Sequence, residues 1–224
     1  MTNTILELDK VSYHYNQPSG VLDILKDVSY KFEKGKLYAI TGPSGSGKST
    51  AISLLAGLDN PKEGKIIYNE KDLKKIGLNN YRKNNVEIVF QSHNLLTYMS
   101  ALDNILSAMK IAMVKKDKPK EYVLSVLESL KIDNNMATRS VKKLSGGQMQ
   151  RVAIARAITC NGDIIIADEP TGNLDKKTAS EIIEIFKKIA YVDNKCVIVV
   201  THSQALAKNA DVRLELDNYK FNEK

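Results

Sequence analysis

Eight consecutive residues, Gly42-Pro43-Ser44-Gly45-Ser46-Gly47-Lys48-Ser49, put glycines, a lysine and hydroxyls into one short loop. Glycines let successive backbone N–H groups converge on phosphate oxygens without side-chain interference, and a helix that follows adds its positive end. Lys48 then supplies a point charge between the β- and γ-phosphates, Ser49 offers its hydroxyl to Mg²⁺, and Thr50 assists beside it. A second glycine motif, Leu144-Ser145-Gly146-Gly147-Gln148, lies far downstream. Each motif wants a phosphate tail at its own helix N-terminus. One chain cannot easily fold both onto the same nucleotide, so the second is expected to serve a nucleotide held by a partner.

Asp168 and Glu169 close an apolar run, Ile164-Ile165-Ile166-Ala167. Adjacent carboxylates at the end of a buried strand are costly unless metal and water occupy the space beside them. Asp168 fits a Mg²⁺ contact, direct or through water, and Glu169 fits the general base that orients or deprotonates an attacking water. Standing alone, such a pair is often a helix N-cap; with Lys48 in the same chain it points to phosphoryl chemistry. His202 follows the run Val197-Ile198-Val199-Val200-Thr201. A lone histidine is usually structural or superficial, but the carboxyl end of a strand is where α/β sheets bind ligands, which makes His202 a γ-phosphate candidate. Gln91, after Val86-Glu87-Ile88-Val89-Phe90, can touch Mg²⁺ or water through its amide.

The elements that must position these groups follow from periodicity. Alternating apolar residues (Ile5, Leu6, Leu8, Val11, then Tyr13 and Tyr15, then Val28, Tyr30 and Phe32) predict a small antiparallel sheet that turns at Glu33-Lys34-Gly35-Lys36. Leu37-Tyr38-Ala39-Ile40-Thr41 predicts a strand entering the glycine loop, with a helix from Ser49 to Leu58 closed near Gly57. Between Gln91 and the acidic pair the period becomes helical, at Ile105, Ala108, Met109 and Ala112 and again at Val123, Val126, Leu127 and Leu130. Residues 92–158 therefore read as an inserted helical subdomain, with 1–91 and 159–224 forming the core. Ile182, Ile185, Phe186 and Ile189 mark a further amphipathic helix. Strands alternating with helices imply a mostly parallel α/β sheet covered on both faces.

At 224 residues the chain has room for one sizeable α/β domain with a small insert. The apolar runs are strand-length, far below the roughly 20 residues of a membrane span. The first residues lack the basic start and apolar stretch of a secretory signal, so a cytosolic location is expected. Cys160 and Cys196 have no ligand spacing and read as reduced, buried residues. The net charge of +7 invites a nucleic-acid reading, but the lysines are dispersed and no aromatics interleave with them, so no nucleic-acid partner is expected. A solvated face, or contact with an anionic membrane or a membrane protein's cytoplasmic loops, accounts for the charge better.

Taken together these motifs resemble the ATPase subunit of an ATP-binding-cassette transporter over nearly the whole chain: Walker A at 42–49, the Q-loop Gln91, the Leu-Ser-Gly-Gly-Gln signature, Walker B ending at Asp168-Glu169, and the switch His202. The resemblance implies a P-loop NTPase fold of the RecA-like type and a head-to-tail dimer, expected to be a homodimer, with two ATP molecules sandwiched. Each would lie between one chain's Walker motifs and Ser145, Gly146, Gly147 and Gln148 of the other. It also implies that Tyr15 stacks on adenine, with Tyr13 as the alternative, and that Asp175 lies across the dimer interface. Thr171-Gly172-Asn173-Leu174-Asp175 is similar to the macrolide-exporter, lipoprotein-release and bacitracin-resistance subfamily, which also includes a cell-division ATPase. Met149, where glutamine is common, and Val141-Lys142-Lys143, which lacks a usual proline, depart from the pattern. A separate membrane permease is the implied partner, at the cytoplasmic face of the membrane. Export of, or resistance to, antimicrobial peptides, macrolides or lipoprotein-like amphiphiles is the implied role, with regulatory movement of a membrane partner as the alternative. The abundance of Lys, Asn and Ile suggests an AT-rich genome and tilts the cargo toward peptide efflux. Chromosome-maintenance ATPases share both glycine motifs but need a long coiled coil between them, whereas Lys48 and Asp168 are 168 − 48 = 120 residues apart with no sustained heptads. Translation ATPases of this class carry two cassettes per chain; one is present here.

Overall fold

The computed structural model describes residues 3–18 and 20–224. It opens with β1 (Thr4–Gln17) and β2 (Gly20–Glu33), an antiparallel pair running from Thr4 opposite Glu33 to Gln17 opposite Gly20. β3 (Leu37–Thr41) then enters the glycine loop, which passes into α1 (Lys48–Leu55). That helix stops earlier than the periodicity predicts. Gly57 takes a left-handed φ of 64°, and the Leu58 N–H turns back to the Ser53 carbonyl at 2.8 Å, which closes the last turn.

Next come β4 (Glu63–Tyr68), β5 (Lys71–Asp72), α2 (Leu73–Ile76) and α3 (Leu78–Asn84), for which the apolar pattern assigns no element, then β6 (Val86–Val89). The helical stretch consists of α4 (Ala101–Ile111), α5 (Pro119–Ser129), the short α6 (Asn134–Ala137) and a 3₁₀ turn at Val141–Lys143. α7 (Gly146–Thr159) starts in the second glycine motif. β7 (Ile164–Asp168), α8 (Lys176–Tyr191), β8 (Cys196–Val200), α9 (Gln204–Asn209), β9 (Val212–Asp217) and β10 (Lys220–Glu223) complete the chain.

Two sheets result. One is antiparallel, in the order β2-β1-β4-β5; the other runs β10-β9-β3-β8-β7-β6, parallel except for β10. Alternation along the strands explains how the parallel sheet is covered on both faces. Ile164, Ile166, Ile198 and Val200 pack toward the antiparallel sheet and α1, while Ile165, Ala167, Val197 and Val199 pack toward the face covered by Phe186 of α8 and Leu206 of α9. Burying each such isoleucine contributes about 2 kcal/mol, and the unbroken apolar run of β7 is what a strand covered on both faces requires.

A third apolar cluster holds the helical stretch together around Ile105, Met109, Val123 and Leu127. α7 belongs to both sides: Val152 and Ala155 face this cluster, whereas Ala153, Ile154 and Ala157 face the sheet. Met149 is half-buried against the helical cluster, and the Val141–Lys143 turn is tied to the start of α4 by Val141 N–H donating to Met99 O. Both departures from the usual signature surroundings thus have a packing role within the chain. Cys160 and Cys196 are buried and unpaired, and no helix among the described residues is long and apolar enough to cross a membrane.

Candidate nucleotide site

β3 lies between β9 and β8, and β7 adjoins β8, so the carboxyl ends of three strands remote in sequence open on one side. There a cavity of about 650 Å³ is lined by Ser44, Gly45, Gly47, Lys48, Ser49 and Thr50, by Gln91, by Asp168 and Glu169, and by His202. That volume lies within the range of small-molecule and cofactor sites, roughly 300–1,000 Å³. Gly42 lines a smaller cavity that shares His202 with it, and Pro43 and Ser46 complete the loop through a Ser46 N–H bond to Pro43 O of 3.2 Å.

The loop's shape depends on glycine most clearly at Gly47, the N-cap of α1. It sits at φ 99°, and a Cβ there would come within 2.4 Å of Ile24 Cγ2. Ile24 itself, from β2, lines the cavity, as do Val200 and Gly172 of the Thr171–Asp175 stretch; none of the three stood among the expected site residues. The alternation in β2 marks a strand but says nothing about the loop laid against it, so Ile24 was legible only as an apolar residue.

Lys48 is buried, and its Nζ donates to the carbonyls of Gly42 at 2.9 Å and Pro43 at 2.8 Å. An ammonium has three donors, so one N–H remains to face the cavity. Burial lowers its pKa, while Glu169 and Asp168 oppose that shift. Asp168 moves the other way: burial raises its pKa, Glu169 raises it further, and Lys48 opposes. Cation and carboxylates are thus held close in a partly dehydrated space, where a cationic ligand beside Asp168 would relieve the carboxylate strain.

Glu169 lies just past β7 in the left-handed region, at φ 46°, an uncommon and strained conformation for a residue with a side chain. The kink is held by its own N–H donating to Val200 O at 2.9 Å. Its Oε2 accepts from the His202 N–H at 3.1 Å and the Thr201 hydroxyl at 3.4 Å. Its Oε1 is buried without a hydrogen-bond partner and lies 3.6 Å from His202 Nε2. Ser46 Oγ is likewise buried without a partner. A strained backbone carrying a half-satisfied carboxylate into a cavity is the arrangement of an acceptor held ready for a ligand proton.

Ser49, Gln91 and Asp168 bring a hydroxyl, an amide oxygen and a carboxylate to the same cavity. Among the described residues no three His, Cys, Asp or Glu side chains converge into a metal cage. Three hard oxygen donors suit a cation that completes its shell with water and phosphate oxygens.

The remaining motif residues lie outside this cavity. Tyr15 is exposed, with its hydroxyl 3.1 Å from Thr50 Oγ1, whereas Tyr13 is buried and donates to the Asp59 carboxylate. Of the two rings only that of Tyr15 is open to a stacking partner. Asp175 caps α8 by accepting from the N–H groups of Lys177 and Thr178, both at 3.0 Å. Ser145 caps α7: its Oγ accepts from Gln148 N–H at 3.3 Å, and Gln148 Oε1 accepts from Ser145 N–H at 2.8 Å. This reciprocal box engages the Gln148 side chain within its own chain, while the N–H groups of Gly146 and Gly147 point out of the helix end.

The model of the ABC transporter family matches residues 25–172. The uncharacterized ABC transporter ATP-binding protein YclH of Bacillus subtilis (strain 168) is 46% identical over 218 residues, covering 97% of this chain and 96% of that protein. The lipoprotein-releasing system ATP-binding protein LolD of Rickettsia bellii is 37% identical over 222 residues, with 99% of each covered. Among solved structures, the dimeric bacterial ABC transporter cassette MJ0796 superposes with a TM-score of 0.88 at 32% identity. The same cassette as a post-hydrolysis dimer bound to ADP and Pi gives 0.89; each covers 98% of both chains. With its glycine loop, acidic strand end and signature helix in one α/β fold, the chain belongs to the ABC transporter family as an ATP-hydrolysing ATP-binding subunit.

Proposed function

We propose that two copies of this chain hydrolyse ATP face to face, each completing the other's site, and that the resulting closure and opening drives a separate membrane permease. One observation carries this reading: Walker-type residues from four segments share one cavity, while Ser145 to Gln148 do not line it. A helix N-terminus with outward N–H groups is an anion site, and on this reading it meets the γ-phosphate of the opposite chain's ATP. The dimeric relatives of the same fold support the pairing.

In this reading the backbone of Gly42 to Gly47 holds the phosphates, and Lys48 contributes its remaining N–H. Ser49, Asp168 and Gln91 would hold Mg²⁺, which when bound neutralises charge on the phosphate oxygens. Glu169 orients the attacking water and takes its proton at Oε1. His202, tied through its N–H to Glu169, faces the γ-phosphate. Tyr15 stacks on the adenine. Because the bridge between chains is the γ-phosphate, only the difference in affinity between ATP-bound and ADP-bound states does work.

Residues 92–158 form the helical unit that moves on the core. A groove of about 570 Å³ between them, lined by Ile88 and Phe90 from the core and by Ala108, Ile111 and Ala112 from the helices, is where a cytoplasmic segment of the permease docks. Exposed Ile111 and Met113 support that contact, and the subunit would sit at the cytoplasmic face of the membrane. The cargo is an amphiphile, either a peptide or a lipoprotein-like molecule, as the LolD relatives and the Thr171–Asp175 wording suggest.

Glu169→Gln tests the site. Steady-state turnover should fall by about 10²-fold or more, the usual worth of a general base, while gel filtration with ATP reveals a stable dimer. Near wild-type hydrolysis would remove Glu169 from the role. For the coupled function, the chain co-purified with its permease and placed in vesicles should move peptide or lipopeptide with ATP. ATP-driven permease rearrangement without transport would replace export by regulatory movement.

A further inference from the structure

The two glycines of the signature differ in their surroundings. A Cβ on Gly146 would meet nothing within 4 Å, whereas one on Gly147 would lie 2.6 Å from Thr178 Cγ2 of α8. Thr178 cannot swing aside freely. Its hydroxyl donates to Asp175 Oδ2 at 2.6 Å and its N–H to Asp175 Oδ1 at 3.0 Å, fixing the methyl toward α7.

The contact recurs one turn along. Gly147 and Arg151 share a face of α7, and Thr178 and Glu181 share a face of α8. Glu181 pairs with Arg151 and also with Lys131 beyond α5, at 2.9 Å for the latter. Further on, Ile158 and Ile185 are partly buried at the same junction. Upstream, α8 is joined to Glu169 by two tight turns, with Gly172 N–H donating to Glu169 O and Leu174 N–H to Thr171 O, both at 3.2 Å.

We propose that Thr178 and Glu181 are positioning residues that set the signature tip of α7 from within its own chain, so the segment after Glu169 fixes the group that completes the partner's site. This rests on the two-chain reading above. The seam is short, anchored at Asp175 and clamped by one ion-paired triad, so the signature tip is tied to the segment after the acidic strand end as well as to the helical unit that carries it.

The test is a suppressor experiment on the full chain, with ATPase rates measured against ATP and protein concentration. Gly147→Ala should lower kcat about tenfold or more, the cost of forcing an extra carbon into a packed contact, with nucleotide affinity of the isolated chain retained. Adding Thr178→Ser, which deletes Cγ2 but keeps the hydroxyl, should restore most of kcat. A folded Gly147→Ala protein with wild-type kcat, or a folded double variant showing no recovery, overturns the proposal. The second arm reverses charge: Glu181→Arg should lower kcat severalfold, and adding Arg151→Glu should recover it. Absence of recovery with unchanged thermal unfolding also overturns it. Wild-type rates strictly linear in protein down to high dilution would instead refute the two-chain reading itself, whatever the suppressors do.

Discussion

The two glycine motifs look alike on paper and differ in kind once folded. In the first, Gly42, Gly45 and Gly47 all take positive φ, so the loop is a backbone conformation that side chains would forbid. In the second, Gly146 and Gly147 are ordinary helical residues opening α7, stabilised by the Ser145–Gln148 box. One motif is a cradle made by bending the chain and the other is a regular helix end, capped at Ser145, whose Gly146 and Gly147 N–H groups have no partner within the helix. The lesson is that a phosphate can be met either by a nest of strained N–H groups or by an unstrained dipole end, and only the former needs its partner residues in the same chain.

That contrast can be broken by substitution. The largest expected effect is at the signature's helix end: Ser145→Arg, which fills the face offered to the partner, should reduce turnover by at least about 10²-fold, the scale of removing a preorganised electrostatic contact, yet leave nucleotide binding by the single chain intact. Equilibrium binding of a fluorescent ATP analogue beside steady-state turnover separates the two, and lost binding would merge the motifs into one site. Gly47→Ala should do the reverse. The φ of 99° and the 2.4 Å approach to Ile24 should cost about 1–3 kcal/mol, seen as weaker nucleotide binding by the isolated chain, roughly tenfold or more. Unaltered affinity would show that the loop tolerates a side chain and that the contrast is overstated. The smallest effect is at Gln148→Ala, where loss of the reciprocal cap should destabilise the fold by about 1 kcal/mol in denaturant unfolding. A much larger loss of turnover at unchanged stability would mean the side chain serves ATP directly.

Much of the site was legible because its pieces are contiguous. The glycine loop between an apolar strand and a helix, the acidic pair after a buried run, and the serine-led helix start each carry their chemistry within a few residues, and the fold class follows from the alternation of periods 2 and 3.6. The segments 63–84 and 204–223 were not legible. β5 (Lys71–Asp72) is short and β10 (Lys220–Glu223) is half-exposed, so hydrogen bonding to a neighbour rather than an apolar pattern makes them strands, whereas β9 does alternate, with Leu214 and Leu216 buried, but too briefly to stand out beside the helix before it. Gln148 illustrates a different gap: its residue type suits a nucleotide contact, and only the 2.8 Å bond to Ser145 N–H assigns it to the helix cap.

The sequence by itself determined the parts list: a glycine loop ahead of a helix, a carboxylate pair after a buried strand, a second glycine pair at a helix start, and a resemblance to a family that carries all three. Tertiary structure decided which parts work together. The order β3-β8-β7 brings Lys48, His202 and Asp168 to one rim although they are far apart in the chain, and the seam between α7 and α8 turns Gly147 into a packing residue. Both outcomes depend on pairing between remote segments, whose register is set by burial on two faces at once, and no local pattern of residues carries that information.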